Sequence, residues 1–133
     1  MPFEPRILTA PPLRLDATTV AAFERAHDAL TADPDAPLDR RLGGPTHLFL
    51  RWLAEGKGYL LHGSNKPDID VFTPRDQTDA AQRHVRAVFA TADGLWPMYF
   101  AIVDRGRPRV SLNNACWLTE NGERRYYLSL IHI

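Results

Sequence analysis

The chain has 133 residues, the length of one compact domain, and carries 16 Lys plus Arg against 16 Asp plus Glu, so it has no formal net charge. A hydrophobic share of 44% and a charged share of 24% are those of a folded globular protein and exclude global disorder, while the even charge balance argues against a sequence-independent polyanion binder. The longest nearly apolar stretch, Leu95 to Val103, contains Pro97 and falls well short of the ~20 residues of a bilayer-spanning helix, so no membrane partner is expected.

Met-Pro-Phe-Glu-Pro-Arg at the amino terminus lacks the basic-then-apolar order of a secretory signal, and the lone Cys116 has no disulfide partner, which together point to the cytoplasm. Pro2, Pro5, Pro11 and Pro12 favour extended backbone and remove amide donors, so residues 1–15 are expected to form an arm or an edge strand. Asp16 or Thr18 then caps a first helix with Val20, Phe23, Ala26, Ala29 and Leu30 on its apolar side. The run Thr31 to Pro37 ends it, because each proline disfavours helical geometry in the residue before it.

After a polar linker to about Pro45, Thr46 is expected to cap a second helix. Its Leu48, Phe49, Trp52 and Leu53 recur at spacings of three and four and form one broad apolar face, and Gly56 or Gly58 stops it. Tyr59-Leu60-Leu61 reads as a short buried strand that delivers His62 at its end. Turn formers dominate Asn65 to Asp70 and Thr73 to Asp79, whereas Val85 to Ala90 has the β-branched and aromatic content of a second core strand.

Ala92 to Ala101 reads as a helix around Pro97, with Ile102-Val103 opening a further strand. A turn at Asp104 to Pro108 precedes strands near Arg109 to Leu118 and Arg124 to Leu130, joined by an Asn121-Gly122 hairpin signal. Helices first and strands later make an α+β chain rather than a doubly wound parallel sheet. One back-translation of Leu128 to Ile133 matches a transposase adapter used in preparing sequencing libraries, so the native chain is expected to stop at Tyr127 with foreign residues following.

The chemistry concentrates in two segments. Gly58-Tyr-Leu-Leu-His-Gly-Ser is an apolar run ending in His62, Gly63 and Ser64; neutral imidazole offers a hydroxyl one donor and one acceptor, and glycine lets a ligand approach bare backbone. Val88 to Ala101 sets Phe89 before a small residue and Tyr99 about three turns later. Together they resemble the first two motifs of the ADP-ribosyltransferase superfamily, especially its poly(ADP-ribose)-polymerase-like branch.

The resemblance implies a split, mainly antiparallel sheet with two amino-terminal helices and a site for NAD as substrate. His62 would bond a ribose hydroxyl, Gly63 would hold the nicotinamide carboxamide through its backbone, Ser64 would assist, and Phe89 and Tyr99 would sandwich the nicotinamide. Phe89 stands where the family usually has tyrosine, which keeps stacking and loses the phenol's hydrogen bond.

The family's late-strand glutamate, which stabilises charge as nicotinamide leaves, falls at Arg124-Arg125-Tyr126-Tyr127, with Glu120 and Glu123 nearby; Glu123 joins His62 and Tyr99 as the catalytic candidate. Three readings follow. The first is a transferase that breaks the nicotinamide–ribose bond and passes ADP-ribose to an acceptor. The second is a degenerate module that binds NAD or ADP-ribose. The third is a protein- or RNA-interaction module on the same scaffold.

Structural roles compete at each position. His62 also suits a strand end bonded to a loop carbonyl, Ser64 and Asn65 suit loop capping, and Phe89 and Tyr99 sit amid Trp96, Met98 and Phe100 as core residues do. Asp68 and Asp70 match no metal-ligand spacing and read as turn residues around Pro67, so no metal is expected. A Ser64, His62, Asp70 hydrolase triad lacks the nucleophile elbow, and Cys116 beside Trp117 reads as a small hydrophobe. Arg105, Arg107, Arg109, Arg124 and Arg125 form a local basic excess suited to phosphate, which leaves nucleic acid open as a partner.

Overall fold

Two stretches of the chain far apart in sequence build one unit, and the stretch between them builds another. In the computed structural model residues 8–36, 38, 42–79, 83–103, 110–118 and 122–132 are described. One compact unit comprises Met1–Arg14 with Asp104–Ile133, the other Leu15–Val103. The architecture is α+β: among the described residues there are α1 (Ala17–Ala32), α2 (Thr46–Lys57) and α3 (Trp96–Ile102), with strands β1 (Leu8–Thr9), β2 (Arg75–Thr78), β3 (His84–Ala87), β4 (Val110–Leu118) and β5 (Arg124–His132). None of these helices is long and apolar enough to cross a membrane.

The first unit is a three-stranded antiparallel sheet in the order β1-β5-β4. The proline-rich start does supply an edge strand, with Leu8 opposite Tyr126 and Thr9 opposite Arg125. The register of β4 and β5 runs from Val110 opposite His132 to Leu118 opposite Arg124, so residues 128–132 belong to the paired strand. Gly122 has φ +74°, the left-handed backbone that a hairpin glycine supplies without strain. Asn121, Glu120 and the turn expected at Asp104 to Pro108, with Arg105, Arg107 and Arg109, lie outside the described residues.

The second unit packs α1 against α2. Asp16 is the N-cap of α1: its Oδ1 accepts from the Thr19 amide at 2.6 Å. Thr46, however, is the first helical residue of α2 rather than its cap, because Pro45, extended at φ −59° and ψ 135°, occupies the cap position and its carbonyl takes the Leu48 and Phe49 amides. Of the two candidate stops Gly58 is the one used, at φ +74°. Phe23 and Phe49 are fully buried with ring centroids 5.2 Å apart edge-on, and Trp52 stacks on Phe49 at 5.9 Å. Leu42, Leu53 and Ala54 complete this core.

Four expectations on the stretch after α2 change. Tyr59 to Leu61 is not a buried strand: Leu60 is 68% exposed, and among the described residues the pairing is one antiparallel bridge between Leu61 and Thr91. Thr73 to Asp79 contains β2, whose polar residues suit a strand left largely to solvent and held by its partner β3. The strand expected at Val85 to Ala90 is β3, shifted to His84–Ala87 and half of an exposed hairpin rather than part of the core. Ile102 closes α3 and Val103 is its C-cap, donating its amide to the Tyr99 carbonyl, so no strand opens there.

The helix expected over Ala92 to Ala101 is present from Trp96. Its start is set by Asp93, 4% exposed, whose Oδ1 accepts from the Leu95 and Trp96 amides at 2.8 and 2.7 Å. Pro97 follows in the first turn, where its missing amide would have had no helical partner.

Candidate functional site

His62 leaves the Leu61–Thr91 bridge beside the segment that carries Phe89. Its Nδ1 lies 2.7 Å from the Phe89 carbonyl oxygen. A carbonyl only accepts, so Nδ1 carries the proton and donates, and the neutral ring keeps Nε2 as an acceptor. The bond to a loop carbonyl weighed for this histidine is thus present, and it fixes the tautomer at the same time.

Gly63 is required for a reason the sequence did not show. A Cβ at this position would overlap the Pro97 carbonyl oxygen and crowd its Cα, so the bare backbone of residue 63 lies directly against the first turn of α3. Gly94 does the same on another side of the helix start, where a Cβ would overlap the backbone of Arg51 in α2. Arg51 itself is 4% exposed and is held by Glu55 through Nε at 2.8 Å. Two glycines therefore let α3 approach α2 and the His62 segment closely enough to form a wall.

That wall closes a recess of about 250 Å³. It is lined by His62, Gly63, Ser64 and Phe72, by Leu50 of α2 and Leu60-Leu61, and by Pro97, Met98 and Ala101 of α3. Ser64 Oγ accepts from the Lys66 amide at 3.1 Å, the loop-capping role weighed for it, and Asn65 Nδ2 donates to the Val103 carbonyl at 3.3 Å. These bonds tie the loop after His62 to both its own backbone and the end of α3.

Of the residues singled out from sequence, His62, Gly63 and Ser64 come together at this recess, and Phe89 touches His62 through its carbonyl. The Phe89 ring is 43% exposed and is not among the lining groups. Tyr99 is not among them either: its ring stacks near Trp96 at 6.1 Å and 25° and meets Phe100 edge-on at 5.5 Å. At 100° per residue, positions 96, 99 and 100 share one face of α3, and positions 97, 98 and 101 share the opposite one. Glu123 lies in the other unit, where its Oε2 accepts from Arg125 Nη2 at 3.0 Å.

Phe72 is the aromatic lining residue that sequence reasoning missed, alongside the aliphatic wall from Leu50, Leu60, Leu61, Met98 and Ala101. It is 58% exposed and its ring centroid lies 5.0 Å from that of His62, at 67°. The available signal was the apolar pair Val71-Phe72 standing between two runs of turn formers, where burial is a poor explanation for it.

Asp68 and Asp70 are exposed. Among the described residues, the group of imidazole and carboxylate atoms near enough to one another for a metal is instead Glu24, His27 and Asp28, within 4.8 Å. Those side chains already bracket α1 to the end of α2: Glu24 pairs with Lys57 at 2.8 Å, and His27 Nε2 shares a hydrogen bond with the Tyr59 hydroxyl at 2.9 Å. No family model, curated protein or solved structure matches the chain.

Proposed function

We propose that this chain is a nucleotide-binding module of the ADP-ribosyltransferase type, taking NAD or ADP-ribose at the His62 recess without passing ADP-ribose to an acceptor. The observation that carries this is the His62 tautomer: with Nδ1 committed to the Phe89 carbonyl, Nε2 is left to accept from a hydroxyl, the part that the resemblance gives to this histidine. The Ser64 hydroxyl stands at the same recess, and the walls from Leu50, Leu61 and Met98 suit a flat ring. A volume of about 250 Å³ is below the ~300–1,000 Å³ of sites that enclose a whole drug-sized ligand, so one ring enters and the remainder of the nucleotide lies over the surface.

Binding without transfer is favoured over catalysis by the third motif. Glu123 is engaged by Arg125, and residues 124–127 offer Arg, Arg, Tyr and Tyr where the family carries its glutamate. With Glu123 paired to Arg125, that carboxylate is engaged elsewhere as charge would develop on the ribose with nicotinamide departing.

Calorimetric titration with NAD and with ADP-ribose, alongside a chromatographic assay for free nicotinamide, tests this. The expected result is binding of both nucleotides, weakened about tenfold in His62→Ala as one hydrogen bond is lost, with no nicotinamide released. Failure of both nucleotides to bind excludes the proposal. Nicotinamide release that His62→Ala abolishes replaces it with the transferase.

A further inference from the structure

We infer that Phe72, rather than Phe89 or Tyr99, is the ring on which a bound nicotinamide stacks, and that it selects for a flat heteroaromatic group at this recess. This rests on the recess being the nucleotide site. The sandwich implied by the resemblance needs Phe89 and Tyr99 to face one hollow, yet neither ring lines the recess that His62, Gly63 and Ser64 border. Tyr99 is committed to Trp96 and Phe100 on the far face of α3. Phe89 contributes its carbonyl, and that contact orients His62 without using the ring.

Phe72 meets the requirements the other two do not. It borders the recess, stands edge-to-face against His62 at 5.0 Å, and keeps 58% of its surface in water. An aromatic face this exposed, next to an imidazole whose Nε2 accepts, gives a flat amide-bearing ring both a stacking surface and an acceptor for a neighbouring donor. Met98, which also lines the recess, carries a polarizable thioether that adapts to an aromatic edge. Aliphatic and sugar groups forgo the stacking contribution, so ADP-ribose, which in place of the nicotinamide brings only its terminal ribose to the recess while its adenine lies over the surface, gains nothing from Phe72.

Titrations of nicotinamide alone, NAD and ADP-ribose, followed by NMR on the full chain, decide the matter. In Phe72→Ala, nicotinamide and NAD are expected to bind about tenfold more weakly and ADP-ribose as in the parent, whereas Phe72→Trp retains all three. Val71→Ala, at a neighbouring exposed side chain, is expected to change none of them. Unchanged nicotinamide and NAD affinity in Phe72→Ala, or a loss produced by Phe89→Ala instead, overturns the role of Phe72 and leaves nucleotide binding intact. Nicotinamide that binds through Phe72 while NAD and ADP-ribose do not bind overturns the nucleotide module and keeps the ring site. No binding by any of the three overturns both.

Discussion

Asp16 shows how much one side chain's local chemistry can fix. The hydrogen bond from the Thr19 backbone amide, with a smaller part from the Thr19 hydroxyl, holds its carboxyl below the ordinary aspartate value. A carboxyl lowered on folding stabilises the native state above that ordinary value, and the contribution fades as pH falls through the lowered one. Asp16→Ala is therefore expected to melt at a lower temperature than the parent at neutral pH, with the gap narrowing as pH drops below about 4. A gap that stayed constant down to pH 2, measured by circular dichroism, would show that the carboxylate's charge is not what caps α1. Asp16 was readable from sequence because its partner is three residues away. For His62 a bond to a loop carbonyl was readable, but not which carbonyl, since its partner is 27 residues distant.

At the level of elements, the molecule turns on how closely α3 approaches its neighbours. Gly63 against Pro97 and Gly94 against Arg51 are backbone-to-backbone contacts, in which no flexible side chain can give way. Gly63→Ala is expected to destabilise the chain by about 1–3 kcal/mol, the usual cost of overpacking, and to weaken any ligand at the recess because Pro97 and Met98 must shift outward. Thermal melting and a crystal structure of the variant would check this; an unchanged melting temperature would mean that residue 63 and α3 are less tightly opposed. The glycine itself suggested close approach of something to bare backbone, but a ligand and a helix leave the same mark on a sequence. The strand expectations near it failed for a related reason. Tyr59 to Leu61 is apolar enough for a buried strand, but it has one bridging partner in Thr91, and β2 is polar because the hairpin it forms is left to solvent.

Across the whole molecule, order should follow burial. Phe23 and Phe49 are fully shielded between α1 and α2, whereas the hairpin of β2 and β3 exposes most of its side chains. Hydrogen exchange is expected to be slowest in the amides around Phe23 and Phe49 and to be fast throughout Arg75–Thr78 and His84–Ala87. Phe49→Ala should lower stability by about 3–5 kcal/mol in denaturant titration, a value set by lost transfer energy and the cavity left behind. Equal protection of hairpin and helices would place the stable core elsewhere.

The Asp16 cap of α1, a glycine stop for α2, the apolar face of α2, the long β4–β5 pairing and the α+β order were legible in the chain, because each depends on residues within a few positions or on a repeating period, whereas the cap of α2 fell to Pro45 and not to Thr46. The identity of the rings around His62 was not legible. That depends on which face α3 turns toward the recess, and the face is chosen by Gly63 and Gly94 meeting backbone 34 and 43 residues away in sequence. Spacing within a helix says which residues share a face; contacts between distant backbones choose where that face looks.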